Sequence, residues 1–70
     1  MYLNKFLSDK GLSRREIEVA QYVTQGLNNQ EIADKLEIKE KTVKFHLTAV
    51  YKALKVETRA QMIVKCYQFR

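Results

Sequence analysis

Five lysines stand between positions 39 and 55 against one glutamate: Lys39, Lys41, Lys44, Lys52 and Lys55, with Glu40. Thr42, Phe45, His46 and Thr48 are interleaved with them. Such side chains grip a polyanion and sample hydrogen-bonding edges. An ammonium donates to phosphate oxygens, or to the O6 and N7 acceptors of guanine in the major groove. A threonine hydroxyl bonds a base edge, and its methyl can meet a thymine methyl. Phe45 suits a solvated lysine face poorly unless something apolar meets it, and a thymine methyl would serve. Bond-breaking chemistry has no comparable set. His46 is the one histidine and Cys66 the one cysteine, so no metal-ligand spacing arises. No Ser, Cys or carboxylate constellation accompanies His46, and Glu16 and Glu18 read as helix-start residues. The expectation is a binding protein with no catalytic residue, no metal and no cofactor.

Spacing says which element must carry these groups. Val43, Leu47, Val50 and Leu54 recur at intervals of four, three and four, the period of one buried helical stripe. A helix over about 40–54 puts Lys41, Lys44, Phe45, Thr48, Lys52 and Lys55 along one flank of that stripe. A shorter amphipathic helix over about 29–36, burying Ile32, Ala33 and Leu36, precedes it across the turn Glu37-Ile38-Lys39. In such a helix-turn-helix the front of the second helix reaches base edges. Lys44, Phe45 and Thr48 are therefore expected to contact bases, and Lys41, Thr42, Lys52 and Lys55 to contact phosphates, which position without specifying. The amides beginning the shorter helix, beside Asn28, Asn29 and Gln30, suit a further phosphate.

Capping boxes locate the remaining elements. Ser13 with Glu16, Asn28 with Glu31 and Thr58 with Gln61 each precede an apolar-periodic stretch. They predict helices over about 14–25, 29–36 and 59–67, the first ending at Gly26, where a left-handed residue is expected. Four helices thus make an all-α domain over residues 12–70, behind a short apolar tail over residues 1–11. In the tail, Tyr2, Leu3, Phe6 and Leu7 could form one amphipathic turn that covers the core or meets a partner.

Composition agrees. Seventy residues, 46% apolar and without proline, suit one small helical domain. No apolar run approaches a membrane span, and the first ten residues lack a signal peptide's features, so a cytoplasmic protein is expected. The net charge of +5 is focused on residues 39–55, which points to a polyanionic partner. A single domain of this size has no room for an enclosed small-molecule pocket.

These residues resemble the LuxR/GerE-type helix-turn-helix family, also found as the output domain of NarL/FixJ-type response regulators. The resemblance rests on Leu12-Ser13-Arg14-Arg15-Glu16-Ile17-Glu18-Val19, Gly26-Leu27-Asn28-Asn29-Gln30-Glu31-Ile32-Ala33, Leu36-Glu37-Ile38, Thr42-Val43-Lys44-Phe45-His46, then Ala53-Leu54-Lys55-Val56 and Arg59. It implies a bacterial transcription regulator binding double-stranded DNA through the 40–54 helix. Lys44, Phe45 and Thr48 would occupy base-reading positions, with Lys41, Thr42 and His46 near the backbone. It also implies a homodimer through the last helix, with Met62, Ile63, Cys66 and Tyr67 as interface candidates, some of which could instead only close the core. RNA polymerase and a larger LuxR-type regulator are the protein partners such a domain would meet.

Three positions depart from the family pattern. Lys39 stands where a serine cap is usual; it cannot accept from free amides, and near DNA it would gain a phosphate contact. Lys55 replaces a usual glycine after the long helix, and Phe45 is bulky for its position. Family regulators also usually carry a sensor or phosphoacceptor domain. Here about eleven residues precede the motif, so the expectation is an excised output domain or a stand-alone regulator, with Met1 and the apolar tail favouring the latter. The alternative function is a short antagonist that pairs with a larger regulator by protein contacts.

Overall fold

The computed structural model describes residues 2–69. Five helices follow one another: α1 (Tyr2–Asp9), α2 (Arg14–Thr24), α3 (Asn29–Leu36), α4 (Glu40–Leu54) and α5 (Arg59–Tyr67). No strand occurs among the described residues. The family resemblance predicted four helices. The fifth is α1, because the apolar tail extends beyond the single expected turn. Leu3 and Leu7, one helical turn apart, are buried, while Tyr2 faces out and Phe6 is half-buried. Phe6 stacks on Phe69 just beyond α5, with centroids 3.9 Å apart and planes 6° apart. Lys10 lies over the Phe6 ring at 5.5 Å. The tail thus joins the core of the domain that follows it, and only Tyr2 of its four apolar residues is left outside.

All three capping boxes form. Ser13, Asn28 and Thr58 each accept from the backbone amide of N3, and Glu16, Glu31 and Gln61 reach back to the cap amides. α2 ends as its glycine requires: Gly26 has φ 94, its amide bonds to Val23 O, and the Leu27 amide bonds to Tyr22 O. The ends of α3 and α4 use the same geometry without glycine. Glu37 (φ 57) and Lys55 (φ 58) occupy the left-handed region, and the amides of Ile38 and Val56 close back on Ala33 O and Tyr51 O. Lys55 thus takes the left-handed conformation at the position where the family usually has glycine, and Glu37 takes it as well. Lys65 supports the second site by donating to Leu54 O at 2.9 Å.

α4 lies at the centre and packs mainly on α2 and α3. Its stripe of Val43, Leu47, Val50 and Leu54 is buried as the spacing required. Facing it are Val19, Ala20 and Val23 of α2, Ile32 and Ala33 of α3, and Met62 and Cys66 of α5. Ile38, in the turn, packs half-buried against this cluster and anchors α3 relative to α4.

Candidate nucleic-acid interface

α3 and α4 are joined by three residues, Glu37–Lys39, and this pair carries nearly every group expected to bind DNA. The α4 side chains outside the core stripe are exposed where the spacing placed them: Lys41, Lys44, Phe45, Thr48 and Lys52, with Lys55 at the helix end. Phe45 is 74% exposed, which makes it one of the largest apolar surfaces offered to solvent. Its ring meets the neighbouring His46 ring edge-on, at 6.3 Å.

The polar groups of the strip differ in how free they are. Lys44 lies 3.9 Å from the Glu40 carboxylate, with both side chains largely solvated. Such a pair contributes at most about 1 kcal/mol and yields readily to a stronger acceptor. The Thr48 hydroxyl donates to Lys44 O at 3.1 Å, so towards a ligand it offers lone pairs and a methyl group. Lys39 makes no capping bond, and Glu40 is the acidic residue in the first turn of α4. The lysine therefore stands at the helix start without stabilising it and is exposed. Thr42 and His46 are half-buried. The His46 Nδ1 is turned inward with no hydrogen-bond partner among the described residues, which leaves Nε2 as the nitrogen to meet an outside group.

At the start of α3, Asn28 is occupied as a cap, its Oδ1 accepting from the Glu31 amide at 2.8 Å. Gln30 donates through Nε2 to Asp34 at 3.1 Å. Asn29 accepts from Arg59 at 2.7 Å. Arg59 also donates to Leu27 O at 2.7 Å, so one guanidinium of α5 fastens the turn before α3. This clamp spans about thirty residues, and no local pattern could reveal it. Arg59 was recognised only as part of the family motif.

The proposed α5 interface needs correction. Met62 and Cys66 have no exposed surface; they close the core and are not available to a partner. Burial also pushes the Cys66 thiol up from its ordinary pKa, so it stays protonated and unreactive at neutral pH. Ile63 is half-buried and Tyr67 is 63% exposed. Val64, which the sequence reading passed over, is also 63% exposed. The signal was available: Ala60, Val64 and Tyr67 fall at i, i+4 and i+7, a second stripe on the side of α5 away from Met62.

A basic, aromatic-bearing strip on the second helix of a three-residue-turn pair defines a helix-turn-helix domain suited to nucleic acid. Residues 10–66 match the family described as bacterial regulatory proteins, luxR family. The chain is 43% identical over 54 residues to the transcriptional regulatory protein DegU of Brevibacillus brevis, covering 77% of this chain and 23% of that one. It is 47% identical over 53 residues to the transcriptional regulatory protein LnrK of Bacillus subtilis, covering 76% and 24% respectively. It is 37% identical over 57 residues to the response regulator protein VraR of Staphylococcus aureus, covering 81% and 27%. The chain therefore belongs to the luxR family, and its domain is of the type used in DNA-binding transcription regulation. It spans about a quarter of the length of these curated relatives. None of the described helices is long and apolar enough to cross a membrane.

Proposed function

We propose that this chain binds double-stranded DNA sequence-specifically as a cytoplasmic transcription regulator, with α4 in the major groove. The observation that carries the reading is the division of α4 itself. One face supplies four fully or nearly buried core residues, and the adjacent face presents Lys44, Phe45 and Thr48 together, exposed and flanked by lysines. The core fixes the helix rigidly, so the reading face is preorganised for a groove. Lys44 donates to guanine, Phe45 meets a thymine methyl, and Thr48 accepts from a base amino group or covers a methyl. Lys39, Lys41, Thr42, His46, Lys52 and Lys55 hold phosphates, as does the start of α3 at Asn28, Asn29 and Gln30. Two copies pair through α5 by Ile63, Val64 and Tyr67, which sets the spacing of two half-sites.

The test is selection of the purified protein on randomised duplexes at physiological salt, followed by sequencing of the retained fraction. Two related half-sites, inverted or direct, are expected. Retention without enrichment would reduce the function to sequence-blind DNA binding. A folded protein that retains no duplex would turn the assignment to the antagonist reading, in which α5 pairs with a larger regulator.

A further inference from the structure

Arg59 begins α5, yet its side chain ends at the start of α3. Nη1 donates to Asn29 Oδ1 and Nη2 to Leu27 O, each at 2.7 Å, in a half-buried setting. A guanidinium carries donors and no acceptor. The Asn29 amide must therefore turn its oxygen to Arg59, and because the group is planar its Nδ2 is held on the other edge. That Nδ2 makes no hydrogen bond among the described residues. Its neighbours are engaged differently: Asn28 closes its capping box, and Gln30 directs its amide nitrogen to Asp34. We propose that Arg59 is a positioning residue for DNA binding, orienting Asn29 so that Nδ2 donates to a phosphate oxygen of the duplex. The inference rests on the DNA-binding reading above and adds to it a defined donor and the group that aims it. The fork matters, because a lysine ammonium carries its three donors on one freely rotating nitrogen and has no planar pair of nitrogens to hold the carbonyl and the amide in one fixed geometry.

Two variants separate this role from plain stability. Asn29→Asp keeps an oxygen facing Arg59 and adds negative charge at the start of α3, both favourable to folding. It removes the Nδ2 donor. Arg59→Lys keeps the charge and loses the fork. The full 70-residue protein and both variants would be titrated with the selected duplex, and with a series in which each phosphate in turn is replaced by a neutral methylphosphonate. Asn29→Asp is expected to melt at or above the temperature of the parent protein and to bind about tenfold more weakly, the scale of one hydrogen bond to a charged acceptor. The parent protein is expected to lose affinity when one particular phosphate is neutralised. At that phosphate alone, both variants are expected to lose the effect or reverse it.

Unchanged affinity in Asn29→Asp overturns the inference. So does an affinity loss in either variant that leaves its sensitivity at every phosphate like that of the parent; such a pattern reflects general charge repulsion or loosened structure. A parent protein that binds no duplex at all would overturn the DNA-binding reading itself, and the inference with it.

Discussion

At the scale of single residues, the proposed DNA-binding reading gives the strip on α4 two kinds of contact that should behave differently. Lys44 sits in the first half of the helix, within reach of Glu40, and Lys52 sits a further two turns along with its ammonium in solvent. A base contact discriminates, whereas a phosphate contact only adds counterion release. Lys44→Ala should cost about 1–3 kcal/mol on the preferred site and relax preference at one base pair. Lys52→Ala should weaken every sequence alike and lower the salt slope by about one unit. Titrations on the selected site and on single-base variants at several salt concentrations read both. Identical behaviour of the two variants across sequences would remove Lys44 from the reading set.

At the scale of elements, α4 is well packed along its length and poorly finished at both ends. Lys39 gives its first turn no side-chain cap, and Lys55 closes its last turn in a left-handed conformation. Serine at position 39 would accept from a free amide, as Ser13 does for α2. Lys39→Ser should stabilise the fold by about 1 kcal/mol in chemical denaturation. It should also weaken DNA binding and shallow its salt dependence, because a phosphate contact goes with the lysine. Lys55→Gly relieves a left-handed penalty of about 1–2 kcal/mol, partly offset by the greater freedom of glycine in the unfolded chain. A net gain of about 0.5–1 kcal/mol is expected from the same measurement. A loss of stability in Lys55→Gly would mean that the lysine side chain, rather than its backbone, holds the end of α4. Both positions thus favour a positive charge near the strip over an optimal helix end.

At the scale of the whole molecule, a chain this short depends on every contributor to its one core. Leu7 is fully buried although it lies in the segment read as a tail. Leu7→Ala should cost about 2–5 kcal/mol, a large share of what a domain below about 80 residues possesses. Thermal or urea melts would show it, against a near-neutral Tyr2→Ala at the exposed end of the same helix. A small effect of Leu7→Ala would mean that α1 is an ornament to a self-sufficient domain. The outer face of α5 is expected to carry pairing. Val64 is exposed and clear of the core, so Val64→Glu should leave the melting temperature unchanged while lowering the mass seen by sedimentation and weakening binding to a two-half-site duplex. Pairing that survives Val64→Glu would exclude this face of α5.

The chain by itself determined everything that follows from local period and local chemistry. Capping boxes and apolar spacing placed the starts of α2, α3 and α5, and the stripe of Val43, Leu47, Val50 and Leu54 placed α4. The exposed strip of Lys41, Lys44, Phe45, Thr48, Lys52 and Lys55 was legible for the same reason, since a helix fixes which residues share a face once one face is known to be buried. Tertiary structure decided the rest. Tyr2, Leu3, Phe6 and Leu7 could not say whether they covered a core or met a partner until Phe69 and the α2 side of the fold were in place around them. Met62 and Cys66 lie beside Ile63 and Tyr67 in sequence, yet only packing against the other helices assigned the first pair to the interior. Arg59 gained its partners from a turn some thirty residues earlier. Local periodicity fixes the faces of a helix, but which surface closes over a given face depends on distant chain segments that meet only when the molecule folds.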